Sequence, residues 1–147
     1  MRIRIDQFYI HNVQGYLEEL LVLKRDFEKI LLEAVDEGLS SLGQSSRQAI
    51  YFHLEKSFNV KKQEIPFKIE VFADAIEKIF GWGANSIEIV IMKRLHKKTE
   101  EAFELHESTD LAFTECVNTV KRAFLEKKRA KKIAKKLVQC EQLMVKR

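Results

Sequence analysis

Residues that interrupt helices are scarce in this chain. Its 147 residues include one proline, Pro66, and five glycines, two of which flank Trp82. A β-sandwich or barrel needs many tight turns, and such turns draw heavily on glycine and proline. The chain is long enough for one domain with a real core but too short for two of ordinary size. We therefore predict a single all-α domain over residues 1–147, a compact bundle of about five helices whose core spans residues 13–125.

The first helix is predicted from about Val13 to Leu39. Apolar residues recur there at steps of three and four positions. They cover about half of the helix surface, which is wider than a single packing layer needs. Either this helix packs against two layers, or part of its apolar stripe meets another subunit. Residues 2–10 begin by alternating Arg and Ile, so they predict a short extended arm or an edge strand.

A joint between two helices is predicted at Phe80–Asn85. We expect Gly81 to end the preceding helix in the left-handed conformation, and Trp82 to fold back on Ile76. Gly83 would then allow the chain to turn again at once. The alternative is an anion site, with backbone amides ahead of a helix N-terminus. The Gly-Trp-Gly sequence lacks the Gly-Lys-Ser/Thr ending of a phosphate-binding loop, so a structural joint is favoured.

The segment after the joint is ambiguous by periodicity. Ile87, Ile89 and Ile91 alternate like a strand, and β-branched residues favour strands. Against this, Glu88 lies near the start of the segment and four basic residues lie near its end, as a helix dipole prefers. We predict a central helix over about residues 85–98.

The last helix is predicted from about residue 110 to residue 144, and its two halves differ. Apolar residues form one stripe in the first half and another in the second, displaced by roughly 120° around the helix. Residues 116–147 hold 11 Lys and Arg against two acids, whereas residues 1–115 hold 15 against 20. The basic arc opposite the second stripe is the candidate partner-binding surface, and it consists of Lys121, Lys128, Arg129, Lys131, Lys132, Lys135 and Lys136.

Several short segments together resemble a known family. They are Leu42-Gly43, residues 49–54, Ile65-Pro66 and residues 79–84 with Glu88. In these elements the chain resembles the small archaeal Nitrosopumilus output-domain family over about residues 33–98. The resemblance implies a helical module of archaeal source with an output or interaction role. It implies no reaction, and no site residue is carried over from it.

The sequence gives little indication of a metal site or a catalytic site. His96 and Glu100 lie one turn apart, but no third ligand has a fitting spacing. Cys116 and Cys140 resemble neither a disulfide framework nor a metal motif. An acidic cluster is more typical of a solvated face than of an acid–base pair, and it comprises Glu100, Glu101, Glu104 and Glu107. We expect no catalytic residue, no bound metal and no cofactor.

These patterns predict a non-enzymatic interaction module that acts through protein–protein contacts. A homodimer is expected because both end helices carry more apolar surface than a small monomer easily hides. The alternative is a nucleic-acid-binding protein that uses the basic arc, although no aromatic residues interleave the basic positions. The arc could also meet acidic residues of its own fold. No apolar run approaches the length of a membrane span, so a cytoplasmic location is expected.

Overall fold

The computed structural model describes residues 2–100 and 111–145 of the chain. These residues form five α-helices and contain no strand, which confirms the all-α prediction. The helices are α1 (Arg2–Ser40), α2 (Gln44–Phe58), α3 (Ile69–Phe80), α4 (Ala84–Thr99) and α5 (Phe113–Val145). Short 3-10 helices at Lys62–Phe67 and Gly81–Gly83 precede α3 and α4.

The long first helix, α1, is the element on which the others assemble. Its 39 residues span about 58 Å at 1.5 Å per residue. Its C-terminal half supplies buried residues from Phe27 to Leu39, whereas every described side chain of residues 10–18 is exposed. The prediction of an extended arm over residues 2–10 is wrong, since α1 begins at Arg2. Adding a residue to an existing helix costs little, and the Arg-Ile alternation is too short to oppose it.

The central helix, α4, packs antiparallel to α1. Ile87, Ile91 and Leu95 share one buried face, which confirms the helix prediction over the strand alternative. The Nζ atom of Lys98 lies 2.7 Å from a carboxylate oxygen of Glu37 on α1. Because successive buried positions are four residues apart, the periodicity is that of a helix face.

A glycine sets the distance between α1 and α4. A Cβ atom added at Gly38 would lie 2.5 Å from Cγ1 of Ile91, a side chain with no exposed surface. Gly15, in the same helix, has open space at this position. The backbone of α1 therefore approaches α4 more closely at Gly38 than any side chain would permit.

The two glycines of α1 give a matched pair of substitutions. We expect Gly38→Ala to lower the free energy of unfolding by about 1–2 kcal/mol, because overpacking outweighs the gain in helix propensity. Gly15→Ala should raise it by up to about 1 kcal/mol, because the propensity gain is unopposed. Urea unfolding at one protein concentration measures both. Equal stabilisation by the two substitutions would contradict the close approach of α1 and α4.

Candidate interaction surfaces

The helix α5 has one buried half and one exposed half. The first predicted stripe is buried, and its members are Phe113, Val117, Val120 and Phe124. The second predicted stripe lies in a segment where every residue from Lys128 to Val145 is exposed. Since the stability of most helices comes from burying one face, the exposed half lacks the usual source of helix stability.

The exposed ends of α1 and α5 run side by side in opposite directions. The ring centroids of Phe27 and Phe124 are 5.6 Å apart, where the buried core ends. Further along, the Glu19 carboxylate pairs with Nζ of Lys132 at 3.1 Å and with Nζ of Lys136 at 3.7 Å. Earlier residues of α1 therefore meet later residues of α5. We call residues 10–22 of α1 and residues 127–145 of α5 the arm.

Surface contacts alone join the two helices of the arm among the described residues. Besides the Glu19 pairs, the guanidinium of Arg129 lies 4.9 Å from the ring centroid of Tyr16. Hydrogen bonds from Lys132, together with the charges of Lys132 and Lys136, lower the pKa of the Glu19 carboxyl. Solvent screens exposed ion pairs and exposed cation–π contacts, so each contributes little to stability. These contacts orient the helices but bury little apolar surface.

The arm carries a large exposed apolar surface. Twelve large apolar side chains on it are 42–86% exposed, six on each helix. On α1 they are Ile10, Val13, Tyr16, Leu17, Leu21 and Val22; on α5 they are Ile133, Leu137, Val138, Leu143, Met144 and Val145. Along α5 the positions 133, 137, 140 and 144 alternate steps of four and three, which is the spacing of a coiled-coil seam. The surface thus has the pattern of a helix-packing face.

The residues of the predicted basic arc do not form one surface that is free of contacts with the rest of the chain. Three of its members contact α1, namely Arg129, Lys132 and Lys136. Lys128 lies with Nζ 5.6 Å from the ring centroid of Phe124, and Lys121 is half-buried. Lys131 and Lys135 are exposed and form no ion pair with the described residues. Among the described residues the acidic partner of the arc is Glu19. Residues 101–107 of the predicted acidic cluster lie outside the described residues.

A second cluster of charged residues fixes α2 and the first 3-10 helix against α1. The carboxylate of Asp36 accepts hydrogen bonds from Arg47 at 3.0 Å, Tyr51 at 2.8 Å and Lys62 at 2.7 Å. Burial opposes its ionisation, but the bonds and charges of Lys62, Tyr51 and Arg47 outweigh burial and lower the pKa of Asp36. Burial and the bond to Asp36 raise the pKa of Tyr51.

Sequence reasoning missed this cluster, although a signal exists. Asp36 is an acid set within the most apolar stretch of α1, directly after Ala34 and Val35. A charged residue at such a position is usually paired when it is partly buried. The sequence alone could not name its partners, because Lys62 lies 26 residues away.

The joint between α3 and α4 differs from the prediction at Trp82. Gly81 ends α3 with φ 56° and ψ −122°, a conformation that favours glycine, and its amide donates to the carbonyl of Glu77. The expected left-handed ending would have ψ near +47°. With the observed ψ the chain enters a 3-10 turn, and Trp82 is fully exposed rather than packed on Ile76. Gly83 has helical dihedrals, so its predicted role as a second special turn is also wrong.

Acidic residues surround the joint. A shallow cleft of about 550 Å³ is lined by Glu77, Gly81, Trp82, Ala84, Asn85 and Glu88. Burial, and secondarily the charge of Glu77, raise the pKa of Glu88. Two carboxyl groups disfavour the phosphate or other anion that the Gly-Trp-Gly sequence suggested. The cleft is better suited to a cation.

The described residues contain no group of three or more His, Cys, Asp or Glu side chains that is arranged to hold a metal ion. His96 is half-buried in α4, and Glu100 follows that helix with φ 58°. Cys116 and Cys140 are free thiols. Burial, followed by the charges of Glu115 and Glu88, raises the pKa of Cys116, which makes this thiol less nucleophilic.

Among the helices of residues 2–100 and 111–145, none combines the length and hydropathy needed to cross a bilayer. No protein-family profile, curated protein or solved structure matches the chain. The resemblance to the archaeal output-domain family therefore stays a prediction. Two exposed surfaces of the described residues are candidates for binding a partner, namely the arm and the acidic joint at Trp82.

Proposed function

We propose that this protein is a non-catalytic interaction module that pairs with a second copy of itself through the arm. The observation that carries the proposal is the exposed apolar surface of the arm, six large side chains on each of two adjacent helices. Monomeric proteins seldom expose apolar patches above a few hundred Å². Twelve side chains that are 42–86% exposed offer an area of the order of the ~800 Å² per partner that a standard interface buries.

The two helices of the arm carry charges of opposite sign. Residues 10–22 carry two acids, Glu18 and Glu19, and no Lys or Arg, so their net charge is −2. Residues 127–145 carry seven Lys and Arg against Glu141, so their net charge is +6. A two-fold pairing that sets α5 of each copy between two α1 helices places opposite charges together. Each copy then offers the acidic helix that the other's basic helix needs.

Pairing of two copies through the arm would explain two features of α5. It gives the exposed half of α5 the apolar contacts that stabilise most helices. It also gives both stripes of α5 a role, since the first faces the core and the second faces the other copy. In such a dimer the two arms pack together, and each copy holds its helical bundle outside the interface.

The nucleic-acid alternative has less support. Phosphate contacts need several unpaired cations on one face. Of the seven residues of the basic arc, Arg129, Lys132 and Lys136 contact side chains of α1. Binding through the arc stays a prediction, with Lys131 and Lys135 as its most accessible residues.

The proposal is tested by replacing apolar residues of the arm with polar ones that keep helix propensity. In the variant Leu17→Gln/Leu137→Gln we expect the dissociation constant of the dimer to rise at least about 100-fold, because each copy loses two leucines that pairing would bury. Sedimentation equilibrium of the full chain over a concentration series measures it. Circular dichroism checks that the variant keeps its helical bundle.

The matched control places the same kind of change outside the arm. Phe52 and Val71 are exposed residues of α2 and α3, so Phe52→Gln/Val71→Gln should leave the dimer unchanged. If the control dissociates as readily as the arm variant, the interface lies elsewhere. If the arm variant associates as strongly as the unaltered chain, the proposal is wrong.

A further inference from the structure

The side chain of Trp82 is the most exposed of the large apolar residues described, with a relative accessibility of 103%. It is also the sole tryptophan of the chain. A wholly solvated indole at the joint between α3 and α4 buries none of its large apolar surface. Tryptophan is enriched among the residues that dominate binding energy at protein interfaces. The joint therefore presents an anchor residue that the fold of this chain does not use.

The acids beside Trp82 form an extended surface along α3. Glu70, Asp74 and Glu77 are exposed and lie at steps of four and three, so they share one face of the helix. The one basic residue of α3 is Lys78, whose Nζ lies 5.7 Å from the ring centroid of Phe58. Within residues 2–100 and 111–145, none of these three acids forms an ion pair. Their charge is thus not neutralised by the parts of the chain that the structure describes.

A partly buried acid lies at the Trp82 end of this face. One carboxylate oxygen of Glu88, Oε1, is buried and has no hydrogen-bond partner among the described residues. A buried oxygen without a donor costs free energy, because the hydrogen bonds that it would make to water are lost. Glu88 and Glu77 line the same cleft as Trp82 and carry charges of the same sign. A positively charged group in the cleft would remove the repulsion between these two carboxylates.

We propose that this surface docks a cationic helical segment of a partner protein. We call it the Trp82 surface and define it as Trp82, Glu77 and Glu88 with Asp74 and Glu70. One Lys or Arg side chain of the partner enters the cleft, lies against the indole face and donates to the carboxylates of Glu77 and Glu88. Further cations of the partner helix meet Asp74 and Glu70 along α3.

The chemistry of the Trp82 surface selects against other partners. Five described groups supply four carboxyls and one indole, so the phosphates of a nucleic acid or a lipid headgroup are repelled. The line of acids along α3 covers about two turns of helix, which matches an extended partner segment rather than a single small cation. The inference is independent of self-pairing, which uses residues 10–22 and 127–145.

The single tryptophan makes the test direct. The probe is an end-capped amphipathic peptide of leucine and lysine, about 14 residues or four helical turns long. The full chain is titrated with it while Trp82 emission is recorded. We expect the emission to move to shorter wavelength as the indole is covered, and the affinity to fall as salt rises. A peptide in which glutamate replaces every lysine should cause no shift.

Substitutions then locate the contact. Glu77→Gln/Glu88→Gln should weaken binding about tenfold, because a cation–π contact alone remains at the cleft. Glu55→Gln removes an exposed acid of α2 and should leave binding unchanged. The arm variant Leu17→Gln/Leu137→Gln should also bind the peptide normally, so failure of self-pairing and failure of this inference give different results.

Three outcomes would overturn the inference. The first is that the anisotropy of a labelled lysine peptide shows binding while the emission of Trp82 does not change. The peptide would then bind elsewhere on the protein. The second is an equal shift with the glutamate peptide. The third is binding by Glu77→Gln/Glu88→Gln that equals binding by the unaltered chain, because the carboxylates would then contribute nothing.

Discussion

Phe27→Ala is expected to lower the free energy of unfolding by about 3–5 kcal/mol, the range for deleting a buried aromatic ring. Phe27 is 1% exposed, and its ring packs on that of Phe124 where the buried core gives way to the arm. The substitution leaves a cavity and removes the last buried contact between α1 and α5. Denaturant unfolding at one protein concentration measures the loss, since self-association would make stability concentration-dependent.

Two further variants keep this prediction decisive. Phe27→Leu retains most of the volume and should cost about 1 kcal/mol, so it remains measurable if the alanine variant does not fold. Phe52→Ala removes an aromatic ring that is 59% exposed and should change stability by less than about 0.5 kcal/mol. A loss at Phe27 no larger than the loss at Phe52 would contradict the placement of Phe27 in the core.

Asp36→Asn is expected to lower the free energy of unfolding by about 2 kcal/mol at neutral pH. The side chain of Asp36 is 25% exposed and accepts hydrogen bonds from Arg47, Tyr51 and Lys62. Bonds to a charged group contribute about 1.5–3 kcal/mol when buried, and partial exposure reduces this. The amide cannot neutralise the two cations, so the links from α1 to α2 and to the first 3-10 helix weaken.

The effect should depend on pH in a defined direction. The pKa of Asp36 is lowered in the folded protein, so its contribution is complete above the unfolded value of about 3.9. It is lost as pH falls through the lower folded value, because the protonated carboxyl no longer attracts Lys62 and Arg47. The stability difference between the unaltered chain and Asp36→Asn should therefore be constant from pH 7 to about pH 5 and shrink in stronger acid.

A matched aspartate serves as the control. Asp26 is exposed and forms no ion pair with the described residues, so Asp26→Asn should have little effect at any pH. Equal losses in the two variants, or a difference that grows as pH falls, would contradict the role assigned to Asp36.

Apolar periodicity predicts the buried face of α4 and that of the first half of α5. Phe113, Val117, Val120 and Phe124 are buried together, as are Ile87 and Ile91, because residues three or four positions apart share one helix face. This rule is local and needs no knowledge of the other helices. It failed at residues 2–10, where an adjoining helix extended through a sequence with a weak opposite pattern.

The two candidate surfaces depend on one backbone angle and on contacts between residues far apart in the sequence. The exposure of Trp82 follows from the ψ angle of Gly81, which a glycine does not determine by its own preference. The ion pair of Glu19 and Lys132 joins residues more than a hundred positions apart. Many other acids of the sequence could equally be expected to pair with Lys132. The two different stripes of α5 did predict two environments, and the exposed stripe is the one on which self-pairing is proposed.

The molar mass of the unaltered chain in solution tests the central claim most directly. Light scattering during size-exclusion chromatography, at about 100 µM and so above a micromolar dissociation constant, gives this mass without a label or a variant. Pairing through the arm predicts twice the chain mass of 17.3 kDa. A single species at 17.3 kDa at this concentration would contradict it.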